Sequence, residues 1–481
     1  MPEKRANKKR KKKDDLLFEG IFSHTRKVHF IGIGGIGMSG IARIMRNMGF
    51  EITGSDMKES DITALLKKEG CIVHIGHNKD NIDFADVVVT SSAISPANEE
   101  VLKAKEAGIP VIHRSEMLAE IMRLKVGIAV AGTHGKTTTT SIVSSVCIEG
   151  GLNPTSVIGG NALKINSNSA LGKGRVLICE ADESDGSFLK LNPTISIVTN
   201  IDLDHMDYYI TEENLIIHFV NFINKTPFYG KNILCFEDER IRNLKNEIEK
   251  PYVSYGFDSS CDIWAENVRY EQPAMHFTVH VRGKKLDDFQ LSVLGRHNVL
   301  NSLAAIGVGL ELDIPVKKIK SGLESFCGVA RRMYKLGEKD GFCVIDDYGH
   351  HPTEIKATLD ALKLHTARLI VVFQPHRYTR TMHLYREFAE SLKNVDALFL
   401  MDIYGAGEEK IKGVSTKLIY NELKKNGGKN VFYISEWDAV KEKIRLCMAD
   451  AKDSGGERKS ILLTLGAGNV YKIGQEILSG S

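Results

Sequence analysis

Three absences narrow the problem before any motif is considered. No stretch of the 481 residues approaches the ~20 consecutive apolar side chains that a membrane-spanning helix requires, and no apolar run of signal-peptide type follows the amino-terminal charges. A membrane-inserted or exported protein is therefore not expected, and the expected location is cytoplasmic. The eight cysteines (Cys71, Cys147, Cys179, Cys235, Cys261, Cys327, Cys343 and Cys447) include no C-x-x-C pair. That excludes a zinc-knuckle pattern and argues against a disulfide framework, so the thiols are read as reduced and mostly as small buried residues. No segment repeats at a period of about 20–50 residues, which removes solenoids and propellers.

What is present is an ordinary globular composition. Apolar residues make up 42% and charged residues 26%, enough to bury a core without metal or disulfide staples. At roughly 150 residues per domain, this length predicts about three domains. The formal net charge of +3 is local: eight basic against three acidic residues in the first fifteen account for +5, leaving −2 on the rest. This basic block (Lys4-Arg5, then Lys8 to Lys13) has the charge to neutralise phosphates on nucleic acid or an anionic membrane. Such blocks are usually solvated, so residues 1–24 are read as a basic disordered leader, with no nucleic acid partner and no membrane insertion expected.

From residue 27 onward, short β-rich apolar runs alternate with helical patterns, the signature of parallel sheets with crossover helices. Strands are predicted at 27–33, 86–90, 126–131, 176–180, 195–200 and 233–236, with a more β-like stretch over 252–294. Beyond residue 331 the chain reads as strands at 342–347, 369–374, 397–403, 431–434 and 461–465, each followed by a helix. Polar residues gather just after these strands, where open parallel sheets bind ligands.

Two glycine loops carry the first chemistry. Gly32-x-Gly34-Gly35-x-Gly37 follows a strand and opens a helix, so its backbone amides can approach a diphosphate at the positive helix end. Asp56 lies 24 residues after Gly32, near where an acidic residue would meet a ribose. Alone, this loop fits a nicotinamide dehydrogenase or a purely structural turn. The second loop, Gly132-Thr133-His134-Gly135-Lys136-Thr137, comes directly off a strand and ends in Lys-Thr at a helix start. It departs from the full G-x-x-x-x-G-K-[ST] pattern, since Val130 stands where the first glycine would be. The chemistry survives: amides cradle phosphate oxygens, Lys136 supplies charge to the β and γ phosphates, and the Thr137 hydroxyl suits Mg²⁺.

Acidic clusters follow at two strand ends, Glu180-Ala181-Asp182-Glu183-Ser184-Asp185 and Asp202-Leu203-Asp204-His205-Met206-Asp207. Carboxylates and a histidine beside a phosphate loop are what a hard cation bridging phosphate oxygens needs, although each single carboxylate fits a solvated loop equally well. In Gly295-Arg296-His297-Asn298, the last two residues read as helix caps or as contacts to a nucleotide base, with capping favoured. Asp346-Asp347-Tyr348-Gly349-His350-His351 and Gln374-Pro375-His376-Arg377-Tyr378-Thr379-Arg380 end two consecutive strands of the last domain. Taken as adjacent, these ends form an anion-binding rim of His and Arg.

In this order the motifs resemble the Mur ligase family, and within it the members that join L-alanine to UDP-N-acetylmuramate. The similarity runs from about residue 27 to the carboxyl terminus. It rests on the segments 29–40, 131–140, 180–188, 200–208, 295–301, 346–354 and 373–381 and on Gly466-Ala467-Gly468-Asn469. It implies three α/β domains behind the leader: a Rossmann-like UDP-sugar domain (25–122), a central P-loop-type ATPase domain (123–331) and a Rossmann-like amino-acid domain (332–481). The first glycine loop would then hold the UDP-sugar diphosphate with Gly34, Gly35, Gly37 and Asp56. ATP would meet Gly132, Thr133, His134, Gly135, Lys136, Thr137, Thr138, His297, Asn298, Arg332 and Asp347. Mg²⁺ would sit among Thr137, Glu180 and His205, and L-alanine would face Tyr348, His376, Arg377 and Arg380. Lys136, His205, Arg332 and His350 are the implied catalytic residues.

The resemblance also bears on which member is meant. Sister ligases that add later residues carry a carbamoylated lysine roughly fifteen residues after the histidine matching His205, whereas Leu215 to Val220 contain none, as in the alanine-adding members. A ligase that reattaches a preformed tripeptide is the nearest alternative, and the segment His376 to Arg380 resembles the alanine-adding members instead.

Overall fold

The computed structural model describes residues 25–82, 84–162, 167–170, 172–271, 274–363, 366–449 and 460–480. The basic leader lies outside the described residues. The described residues form two compact units, one running through Asn161 and continuing with residues up to Ser254 and with Gly307–Ile314, the other made of Ala162, Tyr255–Ile306 and the residues from Pro315 onward. Among the described residues no helix is long and apolar enough to cross a membrane. All eight cysteines are free thiols and five are buried.

The first unit holds two sheets. Strands β1 (Lys27–Ile31), β2 (Glu51–Asp56), β3 (Ile72–Ile75), β4 (Val87–Thr90) and β5 (Val111–His113) are all parallel, in the order β3-β2-β1-β4-β5. The order reverses between β1 and β4, and a crevice at such a switch point is where open α/β sheets take ligands. In the second sheet β6 (Val126–Ala131) is flanked by β9 (Val176–Glu180) on one side and by β10 (Ile195–Val198), then β11 (Lys231–Cys235), on the other, again in parallel. Strands β7 (Thr155–Ala162) and β8 (Ser167–Ala170) lie beyond β9. Strand β6 reads Val-Gly-Ile-Ala-Val-Ala and is buried from its second residue on, the near-continuous apolar run of a strand covered on both faces. It delivers the second glycine loop from the centre of the sheet.

The helix Lys136–Glu149 has a weak sequence for a helix, with seven Thr or Ser among fourteen residues. Three of its hydroxyls are satisfied internally: Thr140, Ser141 and Ser144 each donate to the carbonyl four residues back at 2.8 Å. That device lets small polar residues pack all round a buried helix without leaving donors unpaired.

Strand β12 (Tyr252–Gly256) carries the chain into the second unit, where Tyr255 and Gly256 pair in parallel with β13 (Ile263–Glu271). Strands β14 (Ala274–Val281) and β15 (Lys284–Leu291) continue as an antiparallel meander, as the β-like composition of 252–294 predicted. The last sheet contains β16 (Tyr334–Lys339), β17 (Phe342–Asp347), β18 (Leu369–Phe373), β19 (Ala397–Leu400), β20 (Val431–Tyr433) and β21 (Ser460–Leu465). Alternate residues of its strands feed two cores, Ile345, Val371 and Leu463 on one face and Val344, Ile370 and Leu462 on the other. The order β16-β17-β21-β18-β19-β20 corrects the expectation that the polar ends of β17 and β18 are adjacent. The last strand inserts between them and pairs with both, so Gly466 to Asn469 enter the rim at its middle. The antiparallel edge strand β16 escaped prediction because Tyr-Lys-Leu-Gly-Glu-Lys has neither an apolar run nor a clean alternation.

Under the first glycine loop sits a polar core. Glu100, fully buried on the helix Glu99–Glu106, lies 3.3 Å from His29 Nε2 and accepts from the Ser55 hydroxyl (2.6 Å), the Asn78 amide (3.1 Å) and Asn81 Nδ2 (2.7 Å). Burial alone would raise its carboxyl. The hydrogen bonds from His29, Ser55, Asn81 and the Asn78 amide outweigh that and hold it down at about 2. A carboxylate depressed in the folded state contributes stability that is complete above its ordinary 4.5 and drains away as pH falls toward 2. The expected outcome of thermal melts from pH 7 to pH 2 is a steep acid loss of Tm in the native chain. In Glu100→Gln the Tm is lower at pH 7 and the fall between pH 4.5 and 2 is shallower. Parallel curves would show that Glu100 is not ionised in the fold.

Candidate active site

In the first unit the loop after β6 is clamped to the segment after β10. The Asn200 side chain accepts from the His134 amide (2.8 Å) and donates to the His134 carbonyl (3.0 Å), which also receives the Thr199 hydroxyl (2.6 Å). The Asp202 amide donates to Thr133 Oγ1 (2.8 Å), and the Asp202 carboxylate lies 3.0 Å from His134 Nε2. This clamp explains why β10 stops at Val198 rather than at the predicted residue 200: Thr199 and Asn200 bond to the loop. It also requires glycine at 132, where a Cβ would lie 2.1 Å from Thr199 Oγ1 and φ is +129°.

Lys136 begins the helix and folds its side chain back under the loop. Its ammonium donates to the carbonyls of Gly132 (2.6 Å) and Thr133 (3.1 Å) and to the Glu183 carboxylate (2.8 Å). Burial works against the charge, but Glu183, with Asp182 and Glu180 behind it, overrides that and holds the lysine above its ordinary range. Thr138 lies one position further along the helix from Thr137, partly buried. Thr137 Oγ1 donates to Glu180 Oε2 at 3.1 Å. His205, in a left-handed conformation (φ +57°) at the head of a short helix, places Nε2 3.9 Å from Glu183 and 3.8 Å from Asp204. The Tyr209 hydroxyl donates to the Glu183 carbonyl and so ties this turn to the acidic loop. A threonine hydroxyl, carboxylate oxygens and one imidazole, gathered beside a phosphate loop, form the hard, mostly oxygen donor set that suits Mg²⁺.

The first glycine loop is built differently. The Gly34 amide donates to Asp56 Oδ2 at 2.8 Å, so that carboxylate shapes the loop itself. Gly35 caps the helix Ile36–Asn47 without a side-chain bond, and Gly37 stands in its first turn. A Cβ on Gly37 would lie 3.3 Å from Arg114 Nη1. Arg114 is itself held by Asp182 (2.8 Å), which links this loop to the acidic cluster beside Lys136.

In the second unit, taken by itself, a second set converges. Glu354 joins Arg332 (3.3 Å) to His350, whose Nδ1 lies 3.3 Å from the carboxylate and whose amide donates to it at 3.1 Å. Asp347 is buried and accepts from the amides of Met333 (2.7 Å) and Gly349 (2.8 Å). Its neighbour Asp346 pairs with Arg331 (3.2 Å), whose guanidinium also donates to the carbonyls of Gly466 (2.7 Å) and Gly468 (3.0 Å). Tyr348 and Tyr471 cover that guanidinium at 4.9 and 4.7 Å. His297 is held down at about 4 by burial and then by the Arg332 charge, so it is a neutral imidazole at pH 7. Asn298 does not cap its helix. Its amide donates to the Leu294 carbonyl (2.6 Å), the wrong polarity for an N-cap, which overturns the capping reading.

His376 lies between groups from two other strand ends: its ring is 5.8 Å from that of His350 and stacks on Tyr404, also at 5.8 Å. Arg380 is buried and lies 3.4 Å from His376 Nδ1. Arg377 occupies the cap position of the helix Tyr378–Leu392 at φ +70°, while Glu408 receives the first amides of that helix. Glu354, Tyr404, Glu408, Asn200 and Glu183 were missed as individual residues in the sequence. Of these Glu183 and Tyr404 carried a signal, since both stand just after predicted strands, and Asn200 closes one.

Family models match residues 27–126 (Mur ligase family, catalytic domain), 130–309 (Mur ligase middle domain) and 331–468 (Mur ligase, glutamate ligase domain). A UDP-N-acetylmuramate–L-alanine ligase of Geobacter sp. (strain M21) is 48% identical over 460 residues, spanning 95% of this chain and 98% of its own. The enzyme of that name from Geobacter sulfurreducens is also 48% identical, over 462 residues with the same coverage. The crystal structure of a UDP-N-acetylmuramate-alanine ligase from Thermotoga maritima superposes with a TM-score of 0.77 at 27% identity, over 94% of this chain and 98% of that one. With three family domains in order and relatives near half-identical along almost their whole length, this chain belongs to the Mur ligase family.

Proposed function

We propose that this chain joins L-alanine to the carboxylate of UDP-N-acetylmuramate at the expense of ATP, giving UDP-N-acetylmuramoyl-L-alanine, ADP and phosphate for peptidoglycan precursors in the cytoplasm. The observation that carries the reading is the Lys136 loop: a buried ammonium beneath clamped backbone amides, beside the Thr137–Glu180 pair, serves phosphoryl transfer and has no use in hydride transfer. It leaves the first glycine loop for the UDP-sugar diphosphate, with Gly34, Gly35, Gly37 and Asp56. The domains we assign are 25–122 for the UDP-sugar, 123–331 for ATP and 332–481 for the amino acid.

The muramyl carboxylate attacks the γ-phosphorus of ATP, ADP leaves, and an acyl phosphate forms. The alanine amine then attacks the acyl carbon and phosphate departs. Lys136 leaves its Glu183 contact partly for the phosphate oxygens, and Arg332 adds charge where it accumulates. Thr137, Glu180 and His205 would hold Mg²⁺, which when bound neutralises phosphate charge. The neutral His297, with Asn298, borders the adenine, and Asp347 fixes the turn that carries Tyr348. Arg380 and Arg377 take the alanine carboxylate, and His376 lines that pocket with Tyr348. His350, oriented by Glu354, accepts the proton released by the attacking amine.

Phosphate release from purified protein is expected only when MgATP, UDP-N-acetylmuramate and L-alanine are all present, and not with a preformed tripeptide in place of alanine. Lys136→Ala should lower kcat by about 10²–10³-fold, the range for loss of one preorganised charge at a transition state. Release driven by tripeptide alone would move the assignment to a recycling ligase. In Thr137→Val the Mg²⁺ concentration for half-maximal rate should rise while KM for L-alanine stays fixed, and an unchanged Mg²⁺ titration would remove Thr137 from the metal set. Arg380→Lys, which loses the planar fork, should raise KM for L-alanine by about tenfold or more, the value of roughly one charge-assisted hydrogen bond. An unaltered alanine KM would place the carboxylate elsewhere.

A further inference from the structure

The buried carboxylate of Glu100 takes no part in the reaction above, yet among the described residues of the UDP-sugar domain it is the most heavily bonded acidic group. Leaving a carboxylate wholly inside a protein is costly unless each lone pair is used, and an apolar side chain would fill the same space more cheaply. The helix that carries it does not need it, because Asn98 already caps that helix by accepting the Glu100 amide at 2.9 Å. Its bonds instead run to the ends of strands and to the loops that leave them.

Ser55 is the central link. It stands near the carboxyl end of β2, and its carbonyl accepts both the Gly32 amide (2.8 Å) and the Ile33 amide (2.9 Å), which fixes the start of the first glycine loop. Its hydroxyl donates to Glu100 Oε2 and lies 2.9 Å from His77 Nδ1. The next residue, Asp56, receives the Gly34 amide on its carboxylate and the Gly76 amide on its carbonyl (2.8 Å each). Glu100 Oε1 then fastens the far side of the loop after β3 through the Asn78 amide and Asn81 Nδ2. His29 closes the set from β1, 3.3 Å from Glu100 and 2.8 Å from Thr53 Oγ1 on β2. One carboxylate therefore sets the mutual spacing of the loops after β1, β2 and β3, the edge of the sheet over which a nucleotide lies in this class of crevice.

We propose that Glu100 is a positioning residue for UDP-sugar binding, acting through Ser55 on the diphosphate loop and through Asn78 and Asn81 on the loop after β3. This rests on the assignment of the first glycine loop to the UDP-sugar. The role differs from plain core stability because it is selective. Displacing these loops by a fraction of an ångström weakens one substrate and leaves the Lys136 loop, built on the other sheet, intact.

The test measures kcat and separate KM values for UDP-N-acetylmuramate, ATP and L-alanine in the native chain, Glu100→Ala, Glu100→Gln, Ser55→Ala and Val101→Ala, with calorimetric titration of UDP-N-acetylmuramate into each. Val101→Ala is the control for loss of packing, since Val101 is buried in the apolar core on the same helix and has no polar group. Expected is a rise in the UDP-sugar KM and Kd of about 10–100-fold in Glu100→Ala, the scale on which small misplacements act. Partial rescue is expected in Glu100→Gln, which keeps one acceptor for Asn78 and Asn81, and a smaller rise in Ser55→Ala. The KM values for ATP and L-alanine should stay within about twofold throughout, and Val101→Ala should lower Tm without moving the UDP-sugar KM. If Ser55→Ala and Glu100→Gln fold and keep the native UDP-sugar KM and Kd, Glu100 is structural only and the proposal falls. If the native chain itself fails to turn over or bind UDP-N-acetylmuramate, the functional assignment falls and takes this proposal with it.

Discussion

An ammonium group taken out of water needs a compensating charge, and the active region of the first unit is organised around supplying one to Lys136. Glu183 does so from a strand end on the opposite side of β6 from Asn200 and Asp202, so the lysine can be buried only where three parallel strands, β9, β6 and β10, release their chains side by side. The rest follows from this packing. The loop carbonyls of Gly132 and Thr133 turn inward to the ammonium, and Asn200 holds both the amide and the carbonyl of His134, so the loop is fixed by the protein's own groups. The ion pair is weak evidence of stability in itself. Its consequence is a charged group stored in place with its desolvation already met.

Two strained residues flank the same place. His205 adopts a left-handed backbone and Ile210, a β-branched residue, sits at φ +68°. Such conformations each cost about 1–3 kcal/mol and persist only where surroundings over-determine them. Here the Tyr209 side chain, between them in sequence, is buried and bonded to the Glu183 carbonyl, so the turn that presents His205 is locked to the acid that holds Lys136. The imidazole and the ammonium are thereby positioned by one short segment rather than by separate elements.

The fold was readable where burial on both faces writes apolar runs into the sequence. Strands β6, β9 and β17 were delimited to the residue, because a central parallel strand leaves no ambiguity of period. The order of strands in the last sheet was not readable. Insertion of β21 between β17 and β18 is a choice of topology, and all five apolar strands look alike locally. The polar edge strand β16 was lost for the converse reason. Site residues divide the same way: glycines and Lys136 announce a phosphate loop through spacing alone, whereas Glu354 and Tyr404 are ordinary residues whose roles come from meeting His350 and His376 in space. Asn298 shows the limit of local rules, since its position near a helix start suggested a cap and its amide instead faces a carbonyl.

The inserted strand also explains why Arg331 and Arg332, adjacent in sequence, do unlike work. Gly466 to Asn469 leave β21 between the two histidine-bearing ends, and a glycine-rich turn has no side chains with which to fix itself. Arg331 supplies the fixing by donating to the Gly466 and Gly468 carbonyls while Asp346 neutralises it and two tyrosines cover it. It is consumed by structure. Arg332 pairs with Glu354, with the Tyr348 ring at 5.1 Å. A lysine at 331 could not reach several carbonyls and a carboxylate from one rigid plane, so the geometry demands arginine there for order in the rim.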